Sequence, residues 1–279
     1  MSCSVVAIIQ ARMASSRLPG KVLLDIAGEP MLKRVVVRTS RATCTDSVLV
    51  ATTIDASDDS IAAFCDAEGI MFTRGSQFDV LDRYYQAARE FKADIVVRVT
   101  ADCPAIDPDL IDKAVNALRD QAADPNCAPR FDFVANRLPP PFSRTFPIGL
   151  DVEVCTFAAL ERAWKEGHEP IHREHVMPYL YEGVELRKSS PELSTGVSPR
   201  GFRVALLNHV PDYGSYRWTV DTPEDLEFMR QVCARFKGRD DFSWEELLQL
   251  VRREPQVAAI NAAVQHKTLN DIDERATKR

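Results

Sequence analysis

The chain has 279 residues, 45% of them hydrophobic, which is enough for one substantial core. A net charge of −6 argues against a general nucleic-acid binder but leaves room for a local basic pocket. Seven cysteines, an odd number without C-x-x-C spacing, argue against a disulfide framework or a zinc ribbon. No secretory leader and no run approaching the ~20 apolar residues of a membrane span are visible, so a cytoplasmic protein without membrane or nucleic-acid partners is expected.

In chain order, Val5–Ile9 is short, apolar and β-branched and reads as a buried strand. Pro30 can open a helix carrying Met31, Leu32, Val35, Val36 and Val37, and Ser47–Thr53 reads as a second strand. Ser57 and Asp58 are expected to cap a helix that ends at Gly69, followed by a strand at 70–72. Phe78, Leu81, Tyr84, Tyr85, Ala88 and Phe91 have helical spacing; Asp94–Thr100 is a further strand, and Asp107-Pro108 opens a helix through Leu118. Strand and helix alternate throughout, which argues for a three-layer α/β fold with a mainly parallel sheet.

After about residue 125 the rhythm changes. Phe131–Ala135 is strand-like, Leu138-Pro139-Pro140-Pro141 interrupts regular structure, and Leu150, Val152 and Val154 alternate with Asp151 and Glu153 as in a half-exposed strand. Helices are expected between Thr156 and Gly167 and over 171–181, then strands at 184–188 and 202–207 joined by a polar loop. Residues 137–205 read as an arm inserted on the main domain. Arg217–Val220 reads as a last strand leading to Asp221, Thr222-Pro223-Glu224-Asp225 starts a helix, Ser243–Glu246 forms a capping box, and the polar end from 267 is expected to be mobile.

The segment Gln10–Lys21 follows the first strand and holds Arg12, Arg17 and Lys21 with Ser15 and Ser16 between them. A loop at the carboxyl end of a parallel strand is where open α/β sheets bind ligands. Fixed cations and hydroxyls suit a polyphosphate, though a solvated basic turn has the same composition. No G-x-G is present, and Gly20-Lys21 lacks the glycine and hydroxyl residue of a Walker A loop, so another phosphate device is required. Asp102 lies just beyond a predicted strand, either facing the ligand crevice or capping a turn before Pro104; Asp221 can likewise be a simple helix-capping residue.

The motif Ala11-Arg12-x-x-Ser15-x-Arg17-Leu18-Pro19-x-Lys21 resembles the N-terminal signature of KDO and acylneuraminate cytidylyltransferases, and its Ile-Ile-Gln-Ala-Arg opening is similar to the spore coat polysaccharide biosynthesis protein F branch. Asp102 and Pro104 match a Gly-Asp-Glu-Pro segment of the KDO enzymes, with Ala101 and Cys103 departing from it; Val220–Glu227 is nearly their Val-Asp-Thr-Pro-Glu-Asp-Leu-Glu run. The resemblance implies a nucleotide-diphospho-sugar transferase-like, Rossmann-like fold in one nucleotidyltransferase domain over 1–279, with 137–205 as a dimerisation arm of a homodimer. It implies transfer of CMP from CTP to a sugar acid, with Mg2+ held by Asp102 and Asp221 and pyrophosphate released, for a surface polysaccharide or glycan. Arg12, Arg17 and Lys21 would hold the triphosphate with Ser15 or Ser16, and Gln10 and Ala11 belong to the same substrate loop. Thr73-Arg74 would contact cytosine, and Asp151 and Glu153 the acceptor.

Three histidines, His168, His172 and His175, resemble a metal cluster, but Arg173-Glu174-His175 more readily braces the arm or meets the acidic sugar. The competing reading is a glycosyltransferase of similar fold, or a nucleotide-binding relative without turnover. Such glycosyltransferases carry Asp-x-Asp after the mid-chain strand, where this chain has Asp102-Cys103-Pro104.

Overall fold

The computed structural model describes residues 3–119 and 130–265, so Cys127 and the expected tail from 267 lie outside it. The first half runs β1 (Val5–Gln10), a tight 3-10 turn (Lys21–Leu23), the small ladder β2 (Asp25–Ile26) and β3 (Glu29–Pro30), then α1 (Met31–Thr39). It continues through β4 (Ser47–Thr53), α2 (Asp59–Glu68), β5 (Phe72–Gly75), α3 (Val80–Glu90), β6 (Ile95–Thr100) and α4 (Pro108–Arg119). The second half holds β7 (Phe133–Ala135), β8 (Glu153–Thr156), α5 (Phe157–Glu166), α6 (Pro170–His175), α7 (Pro178–Tyr181), β9 (Arg187–Ser190), β10 (Leu193–Val197) and β11 (Arg203–Leu207). It ends with α8 (Pro223–Arg235), α9 (Trp244–Arg253) and α10 (Pro255–Ala258).

One nine-stranded sheet has the order β5-β4-β1-β6-β8-β7-β11-β10-β9. The pairs β4–β5, β1–β4, β1–β6 and β7–β11 are parallel, whereas β8 and β10 run against their neighbours. The sheet is therefore mixed and mostly parallel in direction. Alternate residues feed two cores: Val5, Ala7 and Ile9 pack with α1, α2, α4, α8 and α9, while Val6 and Ile8 pack with α3, α5 and α7. The expected three layers follow from that alternation of wholly apolar strands.

Several local expectations shift. Pro30 pairs in β3 and only precedes α1, whose buried face carries Arg34 and Arg38 while Val37 is exposed. Arg34 donates to the carbonyls of Ile26, Ala27 and Gly238, and Arg38 to those of Ala105, Ile106, Asp240 and Phe242. These bonds fasten the 238–242 turn onto the first helix. Asp55, not Asp58, caps the turn ahead of α2, and the third strand begins at Phe72. The helix expected over 171–181 is broken at Val176 (φ 71), because Pro178 has no N–H to continue the ladder.

The expected half-exposed strand is β8, buried along its whole length between β6 and β7. Its alternation reflects two covered faces, since Val154 joins one core and Cys155 the other. Residues 137–205, expected as an inserted arm, supply this central strand and most of β11, leaving β9 and β10 as the outer strands. The polar loop expected between the two late strands contains β10. Arg217–Val220 is no sheet strand but an extended segment bridged to Ile148 and donating from Val220 N to Asp102 O (2.8 Å). Gly149 (φ 102) permits that crossing: a Cβ there would lie 2.4 Å from Thr219 N.

Candidate active site

Parallel strands collect their carboxyl ends on one edge. Here that edge gathers Gln10, Thr53, Gly75, Thr100 and Ala135, and the antiparallel β8 brings its first residue, Glu153, to the same place.

The basic loop after β1 is held from beneath. Buried Asp58 accepts from Met13 N (2.7 Å) and from the Thr53 hydroxyl. Met13 O in turn accepts from Ser15 N (3.0 Å) and Gly20 N (2.9 Å), closing the loop on itself. Gly20 takes the left-handed conformation (φ 71) and turns the chain into the tight turn that begins at Lys21. The Lys21 side chain then points inward, leaving the residue 8% exposed.

Lys21 Nζ donates to Asp102 Oδ2 (2.8 Å), Asp221 Oδ1 (2.9 Å) and the Val220 carbonyl (2.8 Å). An ammonium has three donors, and all are used. Burial favours the neutral amine, yet the two carboxylates outweigh it and raise the Lys21 pKa. Asp221 Oδ2 meets Arg17 (2.9 Å) and Arg217 (2.8 Å). Burial raises the Asp221 pKa, but Lys21, Arg17 and Arg217 prevail and hold it well below the usual carboxylate range. Arg217 also forms a two-bond pair with wholly buried Asp225, the N3 residue of the α8 capping box, and Asn261 donates to the same carboxylate (2.9 Å).

A second charged group lies across the edge. Arg98 pairs with Glu153, its cross-strand neighbour in the β6–β8 register, and donates to Gln10 Oε1 (3.3 Å), while its Nε has no partner among the described residues. His175, on the last turn of α6, has its pKa pushed down to about 4, by burial first and then by Arg98, Arg137 and Arg12. Val176 beside it is buried with φ 71, and Met177 N donates back to His175 O (2.9 Å). A β-branched residue in that region stores strain, which clusters at functional sites.

The residues singled out from sequence divide. Arg17, Lys21, Asp102 and Asp221 meet in one group. Arg12 lies on the same loop, near enough to His175 to lower its pKa. Ala11 is core, hydrogen-bonded to Ala51 O (3.2 Å), and the Ser15 hydroxyl accepts weakly from Leu18 N (3.4 Å), so both build the loop. Ser16 is exposed on the same loop. Arg74 is turned to Thr53 O (2.8 Å), Asp55 O (3.2 Å) and Asp59 (2.7 Å). The buried guanidinium near the β5 end is Arg83 on α3, its Nε and Nη2 without a hydrogen-bond partner among the described residues and its pKa lowered to about 10, chiefly by burial.

Asp151 pairs with Arg144 (3.0 Å for one of two contacts), and Glu153, expected to be exposed, is buried against Arg98. The histidines do not converge: His168 is exposed, His172 is buried against Glu182 (3.2 Å), and His175 faces the crevice arginines.

A family model described as cytidylyltransferase matches residues 6–252. Spore coat polysaccharide biosynthesis protein SpsF of Bacillus subtilis is 29% identical over 255 residues, covering 90% of this chain and 95% of that protein. A 3-deoxy-manno-octulosonate cytidylyltransferase of Anaeromyxobacter sp. is 32% identical over 251 residues, 82% of this chain and 98% of its own length. Among solved structures, a cytidylyltransferase from Leptospira borgpetersenii superposes with a TM-score of 0.78 at 28% identity, covering 95% of this chain and 100% of that one. Sequence and fold agree along nearly the whole length, and the chain belongs to the cytidylyltransferase family of nucleotidyltransferases.

Proposed function

We propose that this enzyme transfers CMP from CTP to a sugar acid with release of pyrophosphate, in the making of a surface polysaccharide or glycan. The observation that carries the reading is the convergence of Lys21, Asp102 and Asp221 beside Arg17. Their donor set fits a magnesium ion: two carboxylates and a carbonyl oxygen converge on one cationic point, and Mg2+ takes oxygen ligands together with substrate phosphates. Asp102 and Asp221 would hold that ion, which, when bound, withdraws charge from the α-phosphorus.

The protein's own groups supply position and charge. Arg12, Arg17 and Lys21 grip the triphosphate. The acceptor hydroxyl oxygen bonds to the α-phosphorus, the α–β phosphoanhydride bond breaks, pyrophosphate leaves, and the hydroxyl proton passes to solvent. The arginines gathered around the His175 imidazole, Arg98, Arg137 and Arg12, favour an acidic acceptor. A relative named for spore coat polysaccharide biosynthesis supports the glycan role.

The test is pyrophosphate release from CTP with Mg2+ across a panel of KDO, sialic, pseudaminic and legionaminic acids. One acid is expected to support turnover that EDTA abolishes. Activity in EDTA, or release with no acid tested, would overturn the reading. The homodimer is proposed through the outer part of 137–205, where β9 is a fully exposed edge strand and Val197 is 62% exposed; a monomer in sedimentation at micromolar concentration would refute it.

A further inference from the structure

We propose that Lys21 is a displaceable internal cation that keeps divalent metal off Asp102 and Asp221 until a triphosphate draws it away. The inference rests on the reading above for the identity of the metal pair, and adds what governs its occupancy.

The argument starts from charge. Asp102, Asp221 and Asp225 are matched by Lys21, Arg17 and Arg217, so the group is formally neutral as folded. The ammonium sits 2.8 Å and 2.9 Å from the two carboxylates it joins. Both oxygens of Asp221 are engaged, one by Lys21 and the other by two guanidinium groups. Asp102 is engaged by Lys21 at Oδ2 and by the Cys103 thiol at Oδ1 (3.6 Å). A dication entering this group meets no unpaired carboxylate and is repelled by an ammonium at contact distance.

Geometry explains why the lysine stays. Its backbone is fixed by the Gly20 turn, its side chain is buried, and its third donor is taken by the Val220 carbonyl. Leaving means finding three acceptors elsewhere, because an ammonium buried without partners is costly. Triphosphate oxygens are such acceptors. When they take up Lys21 and Arg17, Asp102 Oδ2, Asp221 Oδ1 and the Val220 carbonyl are released together, while Arg217 keeps its bond to Asp221 Oδ2 and holds that carboxylate in place. Metal and nucleotide then favour each other's binding by linkage.

The experiment titrates nucleotide-free protein with Mn2+ and reads free Mn2+ by its electron paramagnetic resonance signal. Wild-type binding is expected to be weak. Lys21→Met is expected to bind at least about tenfold more tightly, a change of about 1.4 kcal/mol, and Asp221→Asn in the Lys21→Met background is expected to erase the gain. Lys21→Arg, which keeps the charge, should remain weak. If Lys21→Met does not fold, as judged by circular dichroism, Lys21→Gln removes the charge while retaining hydrogen bonding. Folded, uncharged variants that bind Mn2+ no better than wild type would overturn the proposal, as would a Lys21→Arg protein that binds as tightly as Lys21→Met. No nucleotide is present, so a gain in metal affinity without pyrophosphate release from any substrate would reject the proposed reaction and leave the lysine's role standing.

Discussion

The two halves of the sheet are built by different rules. From β5 to β6 the strands are parallel, β1, β4 and β5 follow one another as neighbours, the chain then returns past them to place β6 beside β1, and their carboxyl ends provide the loop of Arg12 to Lys21 and the turn of Asp102. From β8 to β9 the directions are mixed: β8 enters antiparallel between β6 and β7, β11 lies parallel to β7 from far along the chain, and β9, β10 and β11 close the edge as an antiparallel meander. The parallel half gives Asp102 and Lys21; the other half delivers Asp221 through a stretch outside the sheet, by way of the Ile148–Arg217 bridge. The site is thus a seam between a regular scaffold and an irregular one.

The severest way to break the seam is to neutralise one side of it. Asp102→Asn and Asp221→Asn are each expected to abolish turnover, a loss of more than about 10³-fold in kcat. The double variant should be little worse than either single, since groups acting as one unit are not additive. Additive losses measured in single-turnover experiments would show that the halves act independently.

Next in size is the crossing itself. Gly149→Ala places a methyl group 2.4 Å from Thr219 N, at a backbone angle (φ 102) that L residues rarely adopt. Overpacking and strain together should cost about 2–6 kcal/mol of stability. Urea unfolding measures it, and an unchanged midpoint would show that the bridge yields without loss. Arg17→Ala tests the loop's contribution. Its guanidinium touches Asp221 (2.9 Å) and is proposed to hold phosphate, so a folded variant should lose ~10²–10³ in rate. Wild-type turnover in that variant would remove Arg17 from the site.

The same contrast explains what could be read from the sequence. In the parallel half, apolar runs and periodic helices are local signals, so β1, β4, β6, α3 and α4 were legible to within a residue or two. The long-range pairs were not. The alternation 150–154 signals one exposed face only if the other side of the sheet is open, and here both sides are covered. Asp58 and Asp225 read as ordinary acids at helix starts, although one pins the basic loop and the other binds Arg217. Arg34 and Arg38 did leave a signal, since both fall on the helix face of Met31 and Val35, a stripe that surface arginines avoid. The closeness of Asp102 and Asp221 was expected from strand ends, whereas Lys21 between them was not, because loop composition does not say which cation turns inward.

The smallest expected effect falls on the irregular side, at His175. Its imidazole is held near pKa 4 by burial and by Arg98, Arg137 and Arg12, against an ordinary value of 6.5. Between those values the unfolded chain binds the proton and the folded chain does not. Stability from this group is therefore fully present above pH 6.5 and declines as pH falls toward 4. The linkage amounts to about 2 kcal/mol between pH 7.5 and pH 5. His175→Gln should flatten that part of the urea-midpoint profile while leaving the pH 7.5 value within about 1 kcal/mol of wild type. An anionic acceptor placed among these arginines would raise the imidazole pKa, so acceptor binding near pH 5 should take up a fraction of a proton. Calorimetry in buffers of different ionisation enthalpy reads that uptake directly, and its persistence in His175→Gln would assign the proton to another group.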